Sequence, residues 1–186
     1  MAKIALRLED DCLAPQPKMK IDYTGPNPFA VCNAIRPLLI TIFEIEPKDV
    51  WERDFRWDIS TDPHGFFVRV YADKGLDSRS SIFAEVTIQG VQPSDPKKDG
   101  KVTILIGGKL RTSYPLDSAF KRSPIYSGIT RLGGFAEVGG LIWLYHRLFY
   151  EDVRRNYIKY QCNRRLEALW REIRKMLGVP VPERVL

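Results

Sequence analysis

The last third of the sequence, residues 141–177, has the pattern of one long amphipathic helix. Its apolar residues recur at alternating steps of four and three, a spacing that keeps them on one stripe of a helix. They are Cys162, Leu166, Leu169, Ile173 and Met176, and an upstream set of Leu141, Leu144, Tyr145, Leu148, Val153 and Tyr157 continues the stripe. At 1.5 Å per residue this helix would be about 55 Å long, enough to cross a small domain. The rest of the chain must therefore supply a surface that buries the stripe.

Alternating apolar and polar residues upstream predict that this surface is a β-sheet. Two short strands are predicted at 3–8 and 18–24, joined by an acidic, proline-containing link, and four longer strands lie between Trp51 and Thr112. The first long strand is predicted to carry its apolar side chains on one face: Trp51, Phe55, Trp57 and Ile59. Gly107 and Gly108, in the middle of the last strand, indicate a bend, a bulge or a close approach by another element.

A helical segment is predicted between the short and the long strands. Asn27 suits an N-cap and Pro28 suits the first helical position. Pro37 removes a backbone donor and disfavours helical geometry at Arg36. We therefore expect two short helices, 28–35 and 37–43, that meet at an angle.

These elements predict a single α+β domain over residues 1–186. The length and the 44% hydrophobic content suffice for one core. Residues 1–17 form an N-terminal strand and linker, 18–177 the core, and 178–186 a proline-containing tail. We expect a curved antiparallel sheet wrapped around the long C-terminal helix, with Trp57 buried beside Leu166, Leu169 and Ile173.

The order of elements resembles the START-like helix-grip superfamily, in which a curved sheet wraps around a long terminal helix. The residues that carry the resemblance are Met19–Thr24, the helical pair divided by Pro37, the strands from Trp51 to Thr112, and Leu141–Leu177. The resemblance covers residues 18–177 and lies in the architecture, without a diagnostic motif. Two departures are the four strands between the helices, where the family usually has six, and the additional strand at 3–8.

Members of that superfamily often hold an apolar ligand between the sheet and the helix. The resemblance therefore implies a binding module with an apolar small molecule or lipid in this position. The candidate lining residues are Phe55, Trp57, Ile106 and Tyr145. Some START-like relatives are enzymes of the cyclase or hydratase kind, but the sequence lacks a catalytic constellation, so we expect a non-enzymatic protein.

Cysteine and histidine usage argues against metal and cofactor chemistry. The three cysteines, Cys12, Cys32 and Cys162, are widely spaced, and there are only two histidines, His64 and His146. We expect no disulfide framework, no metal site, no cofactor and a cytoplasmic location. The low Asn and Gln content, with abundant Arg and Glu, points towards a thermophile. No window is long and apolar enough for a transmembrane helix.

The uneven charge supports an alternative function. Residues 1–100 carry 13 Lys and Arg against 16 Asp and Glu, whereas residues 101–175 carry 15 against 6. This asymmetry favours an anionic partner, namely RNA, the ribosome or an acidic protein surface. The candidate anion-binding residues lie on the long helix, among tyrosines that suit base stacking: Arg154, Arg155, Lys159, Arg164 and Arg165. The oligomeric state does not follow from the sequence.

Overall fold

An antiparallel sheet of six strands and two helical elements make up the parts of the chain that the computed structural model describes, residues 5–95, 98–115 and 146–181. This confirms the α+β class and the four strands between the helices. The strands are β1 Ala5–Asp11, β2 Lys18–Gly25, β3 Val50–Asp58, β4 His64–Gly75, β5 Ser80–Gln92 and β6 Gly100–Pro115. The helical elements are α1, Ala30–Phe43, and a C-terminal helix that follows β6 in the chain. Tyr145 and residues 141–144 of the predicted stripe lie outside the described residues.

The strand β6 is the centre of the topology. The sheet order is β1-β6-β5-β4-β3, and β2 pairs with the same edge of β6 as β1 does. Along that edge Asp11 lies opposite Lys109 and Lys18 opposite Gly107. β1 and β2 are thus two parts of one interrupted edge strand. Residues 12–17 leave the sheet between them, opposite Gly108.

The helix α1 is continuous, so the predicted division at Pro37 is wrong. Its buried residues are spaced four apart, on both sides of the proline: Val31, Ile35, Leu39 and Phe43. Pro37 lies on the exposed side, and the burial of this stripe outweighs the lost backbone hydrogen bond. The start was also misplaced. Asn27 has a positive φ of 47°, and the helix begins at Ala30.

The C-terminal helix consists of four consecutive segments, two of them π-helical. They are His146–Tyr150 (π), Glu151–Asn156 (α), Tyr157–Cys162 (π) and Asn163–Met176 (α). The stripe is confirmed for Cys162, Leu166, Leu169 and Ile173, which are fully buried. The wider π turns rotate the upstream residues of the helix out of the predicted stripe. Leu148 is therefore exposed, and Arg154 points inward instead. None of the described helices is long and apolar enough to span a membrane.

The C-terminal helix lies closest to the sheet at Gly108. A Cβ atom there would sit 2.7 Å from Leu166 Cδ1 and 3.3 Å from Cys162 Sγ, so a side chain at this position would require Leu166 to shift. The glycine pair therefore marks a close approach, one of the three alternatives that the sequence left open. α1 packs beside the C-terminal helix and covers β3 and β4. Both helices lie on one face of the sheet, and the core between them includes Ile88, Ile104 and Ile106.

The predicted aromatic face of β3 is split between the two faces of the sheet. The β3–β4 register shifts between Glu52 and Asp54, and this bulge places Trp51 on the opposite face from Phe55 and Trp57. Phe55 and Trp57 lie on the helical face but at its margin, where the ring of Phe29 is 4.7 Å from that of Trp57. Trp57 is 36% exposed, so its predicted burial beside Leu166 is wrong.

A disulfide joins the sheet to the C-terminal helix, which contradicts the prediction of three unpaired cysteines. Cys12, the first residue after β1, is bonded to Cys162, 150 residues along the chain. The backbone N–H of Cys12 also donates to Gly108 O at 2.9 Å. Cys32 stays free, and burial, with the nearby Glu52 carboxylate, raises the pKa of its thiol to about 12. This thiol is therefore protonated and unreactive at neutral pH.

Leu169→Ala should lower the free energy of unfolding by about 2–5 kcal/mol, because it opens a cavity where the C-terminal helix meets the sheet. Leu169 is fully buried, whereas Met176, the last residue of the same helix, is largely exposed. Met176→Ala is therefore the matched control and should change the stability little. Chemical denaturation of both variants measures the difference, and equal losses would contradict this packing.

Removing the disulfide with Cys12→Ser should cost about 2–5 kcal/mol, because the bond constrains a long loop of the unfolded chain. Cys32→Ser removes the free thiol and serves as the control. Thermal unfolding with and without dithiothreitol should show a reductant-dependent loss in the wild type and in Cys32→Ser. Cys12→Ser should show none. A wild type insensitive to reductant would indicate that the bond does not form.

Candidate functional site

The face of the sheet opposite the helices carries a row of aromatic side chains. Residues directly paired in an antiparallel ladder point to the same face, so the registers of β3, β4 and β5 place Trp51, Phe67, Tyr71 and Phe83 together on this side. We call it the open face, because no described helix covers it. The rings of Tyr71 and Phe83 are 4.9 Å apart, and that of Trp51 lies 6.1 Å from Phe83. They form a continuous aromatic strip.

Arginines stack on these rings. The Arg111 guanidinium carbon lies 3.5 Å from the centre of the Phe83 ring, and that of Arg69 lies 5.3 Å from the centre of the Phe67 ring. Arg53, the extra residue of the β3 bulge, lies 5.8 Å from the Tyr71 ring. A guanidinium plane beside an aromatic ring presents a flat, cationic surface.

A cleft opens on this face where the edge strand is interrupted. Its volume is about 450 Å³, within the range of small-molecule sites. Gly107 faces it, and a Cβ atom at that residue would come within 3.1 Å of both Lys18 Cγ and Pro17 O. The cleft exists because β6 lacks side chains at its middle and residues 12–17 leave the sheet. It is lined by Asp11, Pro17, Lys18, Arg53, Tyr71, Phe83, Glu85, Gly107, Gly108, Lys109 and Arg111.

Four cations and two carboxylates give the cleft lining a positive balance. Lys18 Nζ is 3.0 Å from Glu85 Oε1, and Arg111 Nε is 3.1 Å from Glu9 Oε1. Arg53 makes no ion pair within the described residues. Ion pairs at such an exposed surface contribute little to stability, so these cations can exchange a carboxylate for a phosphate at small cost. A second cavity of about 310 Å³ extends past Arg111 towards Asp73 and Ser113.

The predicted basic residues of the C-terminal helix do not form one exposed, unpaired face. Arg154 is only 2% exposed and donates hydrogen bonds to Asp10 and Thr112. Arg155 pairs with Glu151, and Arg165 Nη2 lies 3.0 Å from Glu44 Oε2. Lys159 and Arg164 are exposed and flank Tyr160, each 5.3 Å from its ring centre. Two of the five residues therefore share a basic patch.

Arg154 belongs to a polar network that holds the C-terminal helix to the sheet. Thr112 Oγ1, which accepts from Arg154, lies 2.9 Å from Ser80 Oγ, and Ser80 Oγ lies 2.9 Å from Tyr150 Oη. Tyr150 donates in turn to the Asp77 carboxylate. Burial, with this carboxylate, raises the pKa of Tyr150 to about 12. The phenol therefore stays protonated at neutral pH, as a structural donor must.

The predicted cavity residues are not gathered around one space. Ile106 is fully buried within the core, whereas Phe55, at 51% exposed, lies at the margin of the sheet. Phe55 and Trp57 both contact Phe29 rather than the C-terminal helix. None of the cavities described above is lined by these residues.

One pair of side chains has the geometry of a nucleophile and its base. Ser94 Oγ lies 2.9 Å from His64 Nε2, and His64 Nδ1 lies 3.0 Å from Thr61 O. The pair sits on an exposed loop, outside both open-face cavities, and the Ser94 backbone donates to Asp62 at 3.0 Å. These bonds fasten two loops together. Among the described residues, no group of three or more His, Cys, Asp or Glu is placed to hold a metal ion.

The residue pattern does not reveal the open face, because charged residues separate its aromatics. In β4, Phe67, Arg69 and Tyr71 alternate with the residues that face the helices, and Phe83 and Glu85 do the same in β5, although Tyr71 is itself buried. Polar positions in such an alternation normally face solvent, but here three of five are aromatic. That excess of rings on the polar side was the available signal.

Arg154→Ala should lower the free energy of unfolding by about 1–3 kcal/mol, because it removes a charged donor from the buried Thr112 hydroxyl, which keeps only Ser80 as a partner. Asp10 is about half exposed, so water replaces part of what that carboxylate loses. Arg155→Ala, at a neighbouring exposed position paired only within the helix, is the control and should be nearly neutral. Urea unfolding of both variants measures this, and an equal effect would contradict the burial of Arg154.

No protein-family model, no curated protein and no solved structure matches this chain. The functional conclusions therefore depend on the geometry alone.

Proposed function

We propose that this protein binds single-stranded RNA on the open face of its sheet. The observation that carries the proposal is the aromatic strip of Trp51, Tyr71 and Phe83 with the guanidinium groups of Arg53 and Arg111 over it. Unpaired bases stack on aromatic rings and on guanidinium planes, and phosphates pair with the surrounding cations. A sheet offers a flat platform on which successive bases can lie side by side.

The cleft at Gly107 supports the proposal by its size and its lining. A volume of about 450 Å³ suits one nucleotide, with a base against Phe83, since Tyr71 is only 7% exposed, and a phosphate near Lys18, Lys109 or Arg111. A pocket for an apolar ligand is lined mostly by hydrophobic side chains, so it would not need the charged residues found at this rim. The basic second half of the sequence contributes Lys109 and Arg111 to the lining. In this proposal its positive charge binds phosphate on the sheet rather than on the helix.

An apolar ligand between sheet and helix, the function that the helix-grip resemblance implies, stays a prediction. Ile106 is closed within the core, and Phe55 and Trp57 lie at its margin. The geometry of the described residues therefore gives this hypothesis less support than the open face gives RNA binding. An acidic protein partner also stays a prediction, since it would use the same cations without the rings.

We infer a cytoplasmic, non-enzymatic role. Disulfides such as Cys12–Cys162 are uncommon in proteins of a reducing cytoplasm, but intracellular proteins of hyperthermophiles are rich in them. The composition that points towards a thermophile and the disulfide are therefore consistent with each other.

Phe83→Ala should weaken binding of a fluorescently labelled oligouridine by about tenfold or more, because a stacked base contributes about 1–3 kcal/mol. Tyr160→Ala is the matched control, since Tyr160 is an exposed ring flanked by Lys159 and Arg164 but lies on the C-terminal helix. Fluorescence anisotropy at low and high salt measures the affinities, and circular dichroism verifies that both variants fold.

The outcome distinguishes the open face from the C-terminal helix as the binding surface. Loss of affinity only in Phe83→Ala supports the open face, and loss only in Tyr160→Ala would move the site to the helix. No binding of oligouridine by the wild type at low salt would reject the RNA proposal. Affinity should also fall with salt, since phosphate contacts release counterions.

A further inference from the structure

Among the strands that the structure describes, β3 is the outer one, and one of its edges has no described partner. It pairs only with β4, and within the described residues the backbone of 51–58 makes no hydrogen bond to any other strand. Such an edge offers a row of free N–H and C=O groups to another chain. Proteins usually protect it by shortness, bulges or uncompensated charge.

Large apolar side chains are concentrated on this edge strand. Trp51 is 40% exposed, Phe55 51% and Trp57 36%, and Ile59, directly after the strand, is 71% exposed. Phe55 and Trp57 lie together on the helical face, while Trp51 is on the open face. Exposed apolar side chains that lie together mark an interaction surface more often than isolated ones do. The edge therefore combines unpaired backbone with uncovered aromatic area.

The charges of β3 are complementary to those of a second, antiparallel β3. Beyond the bulge, Asp54, Arg56 and Asp58 point to the open face, and Phe55 and Trp57 point to the helical face. A twofold axis at Phe55 places each Asp54 opposite the Arg56 of the other copy and the two Phe55 rings opposite each other. Opposite charges and aromatic pairs at directly facing positions both stabilise a ladder.

The neighbouring registers are less favourable. A twofold axis at Arg56 places the two Arg56 side chains opposite each other and each Asp54 opposite an Asp58. An axis at Trp57 uses Asp58, whose carboxylate already accepts the Ser60 N–H at 2.9 Å and the Ser60 hydroxyl at 2.6 Å. The alternation of charge disfavours the axis at Arg56 but allows those at Phe55 and Trp57. We choose Phe55 because Asp58 is held by two short bonds from Ser60, whereas the partner of Asp54, Arg69 Nη1, is 3.6 Å away.

We propose that a second copy of this chain pairs with β3 in antiparallel orientation about a twofold axis at Phe55. The axis is perpendicular to the sheet, so both open faces lie on the same side. The product is one continuous sheet of twelve strands with a single open face of double width. This dimer does not depend on RNA binding.

Arg56→Glu tests the proposal, because it places two carboxylates opposite each other at both symmetric positions. It should raise the dimer dissociation constant by about tenfold or more. The double variant Asp54→Arg/Arg56→Glu exchanges the two charges, restores both facing pairs and should recover the wild-type dissociation constant. Arg164→Glu, the same change on the C-terminal helix, is the control and should have no effect.

Sedimentation velocity over a wide range of protein concentration measures the dissociation constants, and thermal unfolding shows that each variant is folded. A wild type that stays monomeric at the highest concentration overturns the proposal. So does a dimer that Arg56→Glu leaves intact, or one that the charge exchange fails to restore. The measurement uses no RNA, so its outcome is independent of the proposed function.

Discussion

The contact of the C-terminal helix with β6 at Gly108 is the constraint on which the rest of the structure depends. Gly108 has no side chain beneath Leu166 and Cys162, and a Cβ atom there would require Leu166 to shift. The same point accepts the hydrogen bond from Cys12 and lies beside the disulfide. Packing, a backbone hydrogen bond and a covalent bond therefore act together where the helix crosses the sheet.

Both described helices lie on one face of the sheet, and no described helix covers the other. The helical face is built from branched aliphatic residues such as Val68, Val70 and Ile88, which fill the core. The open face contains rings and charges that pair weakly with each other and keep donors available. A two-layer fold therefore separates the residues that stabilise the domain from those that we propose contact RNA.

Local patterns predicted the elements that one periodicity determines. The stripe from Cys162 to Ile173 and the alternation in β5 each require only that one face be buried. Pro37 misled the prediction because local propensity favours a break there, whereas the buried stripe of α1 continues through it. The bulge at Arg53 has no glycine to mark it, so the reversal of faces within β3 is invisible in the residue pattern.

Long-range pairings lay beyond such patterns. Cys12 and Cys162 are 150 residues apart, and their bonding depends on where the interrupted edge strand meets β6. Arg154 had the spacing of a surface cation, and its burial follows from a π turn and from Asp10 on a distant strand. The aromatics of the open face become neighbours only through the registers of three strands, β3, β4 and β5. The residues of the open face can be read from the sequence, but their proximity in space cannot.

The interruption between β1 and β2 also limits which insertions the chain can accept. Residues 12–17 serve both faces at once, since Cys12 is bonded to the helix and Pro17 lines the cleft. A one-residue slip of β1 against β6 would turn Asp10 to the open face and Glu9 to the helical one. Arg154 would lose its counter-ion, and Arg111 would lose its partner in the same step. An insertion in this short segment that shifts β1 by an odd number of residues would therefore exchange the two faces of β1. Insertions in an ordinary surface loop carry no such restriction.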